Sequence, residues 1–165
     1  MSKILAGELL ATIANAPRNA AANVLGYLEP EDFPEWQDQE IFQAFRQVVW
    51  ADHPEPGSIL IQVDRALREA GEYADRDNGL RARVYSLVTT QGHPEQLPEQ
   101  AALLVEERYR RATREHFQTI ADMADRAPLT DLDKAVHRAV ADLRRLKARL
   151  TTPAHKPRIV PKEVA

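Results

Sequence analysis

The sequence predicts an all-α protein, a compact bundle of short helices followed by a long C-terminal helical hairpin. Three observations predict it. No segment of the 165-residue chain alternates apolar and polar residues with the period of two that a half-buried strand requires. The eleven prolines fall mainly between helical patterns, at their starts, or in the tail. Near the carboxyl end, "LLVEERYRRATREHFQTIADMA" (Leu103 to Ala124) runs without Gly or Pro, mixing dense charge with regularly spaced apolar residues.

The first helix is expected over Lys3 to Ala14, with Ile4, Leu5, Leu9, Leu10 and Ile13 on one broad face. Pro17 suits the first turn of a second, short helix ending near Gly26, because its missing N–H costs nothing there. "EPEDFPEW" reads as a turn and a helix start, with acids placed to favour the positive helix end. The third helix carries Trp36, Ile41, Phe42, Phe45, Val48 and Val49, and the prolines and Gly of "DHPEPG" end it. Ser58 is placed to cap a fourth helix and Gly71 to close it. A fifth, weaker pattern covers Leu80 to Val88, and "TTQGHPEQLP" is a loop.

The sixth helix is expected from Pro98 to about Arg126, a span of ~43 Å at the usual rise per residue. "APLTDLD" turns the chain, with Thr130 and Asp133 at the spacing of a capping box. The seventh runs to about Leu150 with Leu132, Val136, Ala139, Leu143, Leu146 and Leu150 on one line. Their alternating steps of four and three are the narrow seam of a coiled coil. This divides one structural domain into a bundle at 1–96, a projecting hairpin at 97–150 and a flexible basic, Pro-rich tail at 151–165. Two antiparallel helices bury one seam and leave other apolar residues wet, so the hairpin is a candidate oligomer interface. On the sixth helix Tyr109, Ala112, Phe117 and Ile120 are expected to pack inward or across a dimer. The alternative is that both helices fold back on the bundle as ordinary core.

Composition narrows the function classes. The chain is 44% hydrophobic and 28% charged, enough to bury a core without metals or crosslinks. The absence of Cys removes disulfides, thiolate chemistry and Cys-type zinc sites. The N-terminus lacks the compact apolar run of a signal peptide, and no run approaches the ~20 apolar residues of a membrane span. A cytoplasmic protein without a membrane partner is expected. None of the six glycines opens a phosphate-cradling GxxxxGK[ST] or GxGxxG loop. The five histidines are scattered, none of the three serines lies in GxSxG, and no acid–base constellation stands out. The expectation is a non-enzyme with no cofactor and no metal.

Charge is placed unevenly. Between Gly26 and Gly57 there are eight acids against Arg46 alone. Between Leu143 and Lys162 there are seven bases and no acid. Arg144, Arg145, Lys147, Arg149, Lys156 and Arg158 could touch nucleic-acid phosphates or an acidic partner surface. The reading as a helix C-terminus complementing its dipole is preferred, because no aromatic residue interleaves these bases as in single-strand binders.

Several segments, in order, resemble the N-terminal domain of DnaB-type replicative helicases. "LLATIANAP" is similar to that domain's "VLGALLLNP" helix. "EDFPEWQDQEIFQAF" follows its "(D/E)DFxxxxHxxIFxAx" segment through Asp32, Phe33, Ile41, Phe42 and Ala44. "GSILIQVDRALREAGEY" follows the next helix through Gly57, Leu67 and Gly71, and the Leu103–Ala124 stretch matches through Val105, Glu107, Ile120 and Ala124. The resemblance covers roughly residues 4 to 146. Ala6 departs from the acid that usually opens the first helix, "DNGLRARVYSL" replaces the family's "GGxxYL", and no Walker motif or ATPase motor is present.

The resemblance implies a helical bundle plus hairpin, hairpins paired into dimers, dimers assembled into a collar, and docking of primase or loader proteins. The expected function is a non-catalytic DNA-replication accessory or adaptor, as a stand-alone homologue or an isolated domain. It would self-associate as a homodimer or higher oligomer and bind primase, replicative helicase or helicase loader. The first alternative is the helicase-binding domain of a primase, since "LDKAVHRAVADLRRLKARL" also looks like its last helix. The second is a small DNA-binding replication factor that uses the basic end.

Overall fold

The computed structural model describes residues 2–52, 56–74 and 79–151. The expected tail lies outside the described residues from 152 onward. Among the described residues there are seven α-helices and no strand: α1 (Ser2–Asn15), α2 (Arg18–Tyr27), α3 (Trp36–Val49), α4 (Ile59–Glu69), α5 (Leu80–Thr89), α6 (Leu97–Ala124) and α7 (Leu129–Leu150). Short 3₁₀ turns stand at Pro30–Asp32 and Pro94–Gln96.

α1 is the central element. Ala6, Leu9, Leu10, Ala11, Thr12 and Ile13 are fully buried, so its apolar surface extends nearly all round, as in a helix enclosed by others. It packs against α3, α4, α5 and the first half of α6. Ile4, expected on the buried face, is instead exposed at the first turn, where no neighbour covers it. Phe33 stacks on Phe42 with ring centroids 5.0 Å apart, and Phe45, Leu25 and Ile41 complete the same core.

Two sets of polar contacts fix how the short helices sit. Arg83 on α5 donates from Nε and Nη2 to both carboxylate oxygens of the fully buried Asp38 on α3, at 2.6 and 2.9 Å. Arg18 donates to the carbonyls of Val48 and Val49, at 2.9 and 3.0 Å, and so satisfies the end of α3. The loop after α5 is locked to α1. The Thr12 hydroxyl accepts from the His93 N–H at 3.1 Å, and a Cβ at Gly92 would lie 2.6 Å from the Ala11 carbonyl oxygen.

Capping departs from the sequence expectation at several ends. Pro17 and Pro128 both stand immediately before their helices, where their carbonyls accept the first helical N–H groups. α7 therefore starts at Leu129, and Thr130 falls inside its first turn without forming the expected capping box. Ser58 occupies the N-cap of α4 but makes no side-chain cap bond. Gly71 closes that helix at φ +78, with the Glu72 N–H returning to the Leu67 carbonyl at 3.0 Å.

α6 belongs to both parts of the molecule. Leu97, Ala101, Leu104 and Val105 lie in the bundle core, and the rest of its 28 residues continue beyond it. Its length of ~42 Å carries the hairpin outward. α7 returns along α6, its one extensive partner, and Leu150 is the α7 residue that packs against the core.

Candidate interaction surface of the hairpin

The hairpin has two flanks of different chemistry. On one flank its base grips the turn at Pro30–Asp32. Arg149 donates from Nη1 and Nη2 to the two carboxylate oxygens of Asp32, at 2.9 and 2.5 Å, and again from Nη2 to the Tyr27 carbonyl at 3.0 Å. Arg145 and Arg149 both donate to Glu29 Oε2, at 2.9 and 3.1 Å. Arg111 on α6 donates to the carbonyls of Glu31 and Asp32. The turn presents these acceptors because the Glu29 N–H binds Asp32 Oδ2 at 2.8 Å, which holds the carboxylate in place. The Tyr27 hydroxyl adds a contact to the Arg149 carbonyl at 3.3 Å.

This cluster is largely closed to water. Asp32 is fully buried, and the Arg149 side chain is 11% exposed. Burial opposes the charge on Arg149, but the hydrogen bonds and charges of Asp32 and Glu29 outweigh it, so its pKa is raised. Burial and the neighbouring Arg108 hold the Arg111 pKa down. One turn further out His116 Nε2 lies 3.0 Å from Asp142 Oδ2, joining the two helices of the hairpin.

The acidic stretch and the basic end noted in the sequence therefore meet each other. Two of the basic residues weighed in the sequence against nucleic-acid phosphates are thus held within the chain. Arg149 and Arg145 are engaged by the chain's own carboxylates, because the turn and the end of α7 are brought together by the hairpin's return. Arg144 and Lys147 remain exposed and, among the described residues, without an ion pair. Lys156 and Arg158 lie outside the described residues.

The seam between α6 and α7 takes three of the ten expected interface residues. Ala112, Ala139 and Leu146 are buried inside the chain, so they have no surface to offer a partner. Tyr109, Ile120, Leu132, Leu143 and Leu150 are partly covered at its margins. Phe117 and Val136 are exposed, at 64% and 39%. Three residues outside the expected set join them: Leu103, Leu129 and Val140. Val140 lies one position off the seam, and Leu103 and Phe117 stand two heptads apart on the outer side of α6. A second apolar line beside the heptad was the available signal.

At ~100° per residue, Leu129, Val136 and Val140 project from the flank of α7 opposite Asp142, Arg145 and Arg149. On that open side a shallow concavity forms where the end of α7 meets α6. Ala102, Leu103, Tyr109 and Leu150 line it together with Glu99, Glu106 and Arg110. Arg110 pairs with Glu106 on the same helix.

Chemistry-bearing clusters are sparse. Among the described residues no group of three or more His, Asp or Glu side chains is arranged to hold a metal ion. None of the described helices is long and apolar enough to cross a membrane. The fold and this surface define an all-α bundle bearing a hairpin, clamped on one flank and carrying exposed apolar and charged residues together on the other. Comparison with family models, curated proteins and solved structures gives no match to the chain.

Proposed function

We propose that this protein is a non-catalytic adaptor that self-associates through the open flank of its hairpin and docks a protein of the replication machinery. The observation that carries this reading is the exposure of Phe117, Val136 and Val140, at 64%, 39% and 41%, on the two helices of the hairpin. Exposed apolar residues that gather into a patch mark an interaction site. The resemblance of the ordered segments to the replicative helicase N-terminal domain supplies the partner class: primase, helicase or loader.

Sedimentation velocity tests the association directly. The expected result is a dimer or larger species at micromolar concentration. Exchanging Phe117, Val136 and Val140 for Glu should return it to a monomer with its helical signal intact. A wild-type chain that stays monomeric at high micromolar concentration overturns the self-association. Pull-down with purified primase and helicase then separates the adaptor from a primase domain: retention of primase supports the first, retention of the helicase collar alone the second.

A further inference from the structure

We propose that the Arg149–Asp32 clasp selects the side of α6 on which α7 lies, and so decides which flank of the hairpin is left open. The apolar pattern of α7 alone does not make that choice. Leu129, Leu132, Val136, Ala139, Val140, Leu143, Leu146 and Leu150 cover a broad arc of the helix. In the structure the seam closes over Ala139 and Leu146 while Val136 and Val140 stay in solvent. Rolling α7 about α6 would bury Val136, Val140 and Leu143 and draw Asp142, Arg145 and Arg149 away from their partners. Such a roll exchanges the burial of Leu146 for that of Val136 and Val140, and Ala112 and Ala139 leave little interlocking bulk against it.

The ionic cluster is what distinguishes the two arrangements. Rolling withdraws the guanidinium from a carboxylate that is fully buried and pinned by the Glu29 N–H. A buried carboxylate stripped of its cation is strongly unfavourable, whereas a buried pair contributes little beyond an apolar pair of similar volume. The clasp thus specifies an arrangement more than it stabilises the fold. Glu29 with Arg145 reinforces the same choice from α7, and Arg111 fixes the turn against α6.

The proposal rests on the adaptor reading only for the use made of the open flank. Its test reads the position of α7, not association. The chain has no Cys, so spin labels introduced at Gln43→Cys and Arg144→Cys report on α3 and the last turns of α7 alone. Labelled chain is diluted into unlabelled chain, so that only distances within one molecule are measured. The wild-type background should give one narrow distance distribution. The double variant D32N/R149M, which leaves no orphaned charge, should keep its helical signal while the distribution broadens and shifts. E29Q/R145M, which removes the more exposed half of the cluster, should broaden it to a lesser degree. An unchanged distance in folded D32N/R149M overturns the proposal. If that variant fails to fold, an unchanged distance in E29Q/R145M does so.

Discussion

Arg149 and Asp32, 117 positions apart in sequence, form a two-pronged hydrogen-bonded pair that joins the last turn of α7 to the turn before α3. Asp32 is fully buried in this pair. Its removal therefore exposes the difference between breaking a buried pair and replacing it.

Arg149→Met alone should lower the unfolding free energy by about 3–5 kcal/mol, because it leaves the Asp32 carboxylate without its cation. The D32N/R149M double variant should lose much less than the sum of the two single changes. Urea denaturation of the four proteins in a double-mutant cycle measures this coupling. Additive single effects would mean that the pair does not act as a unit.

Leu146→Ala should cost about 2–5 kcal/mol, as for other fully buried leucines. Val140→Glu should change stability by no more than about 0.5 kcal/mol, because the residue is 41% exposed and a longer Glu side chain can reach water from it. The contrast is read from thermal or urea midpoints. A large loss at Val140 would place it in core and remove it from the open flank.

Gly92→Ala should destabilise by about 1–3 kcal/mol. The added Cβ would meet the Ala11 carbonyl oxygen at 2.6 Å and the Asn15 Nδ2 at 2.9 Å. The first of these is backbone and cannot swing aside. Chemical denaturation would check it, and an unaffected midpoint would mean that the loop after α5 shifts freely from α1.

Asp142 gives the hairpin a dependence on acid. Burial raises its pKa, but hydrogen bonds from His116 and Arg145 lower it more, so the folded value lies below the ordinary aspartate value of 3.8. A depressed folded pKa contributes stability that is present above the unfolded value and is lost as pH falls through the folded value. The stability difference between wild type and Asp142→Asn should therefore shrink as the solution is acidified below about pH 4. Urea titrations at neutral pH and near pH 3 test this, and a difference that grows on acidification would contradict the sign.

Much of the architecture was legible in local pattern. Pro17, the "DHPEPG" stretch, Gly71 and Pro128 punctuate the chain where helices stop or start, because ring closure and positive φ act within a residue or two. The 3.6-residue rhythm marked the long pair of helices near the carboxyl end. The same rhythm misplaced Ile4, since periodicity shows which residues share a face but not whether a neighbour reaches that far. Thr130 had the right spacing for a cap and lost the role when Pro128 became the N-cap two residues earlier than that motif requires.

By itself the sequence determined the all-α class, the order of the helices and the apolar arc on α7, since each of these follows from interactions a few residues long. Only the tertiary structure decided that the acidic turn and the basic helix end satisfy each other, that Ala112, Ala139 and Leu146 are closed within the chain, and that Val136 and Val140 are left in water. Those outcomes depend on which surfaces meet across more than a hundred residues. There a roll of one helix about another reverses burial and exposure without altering a single local preference.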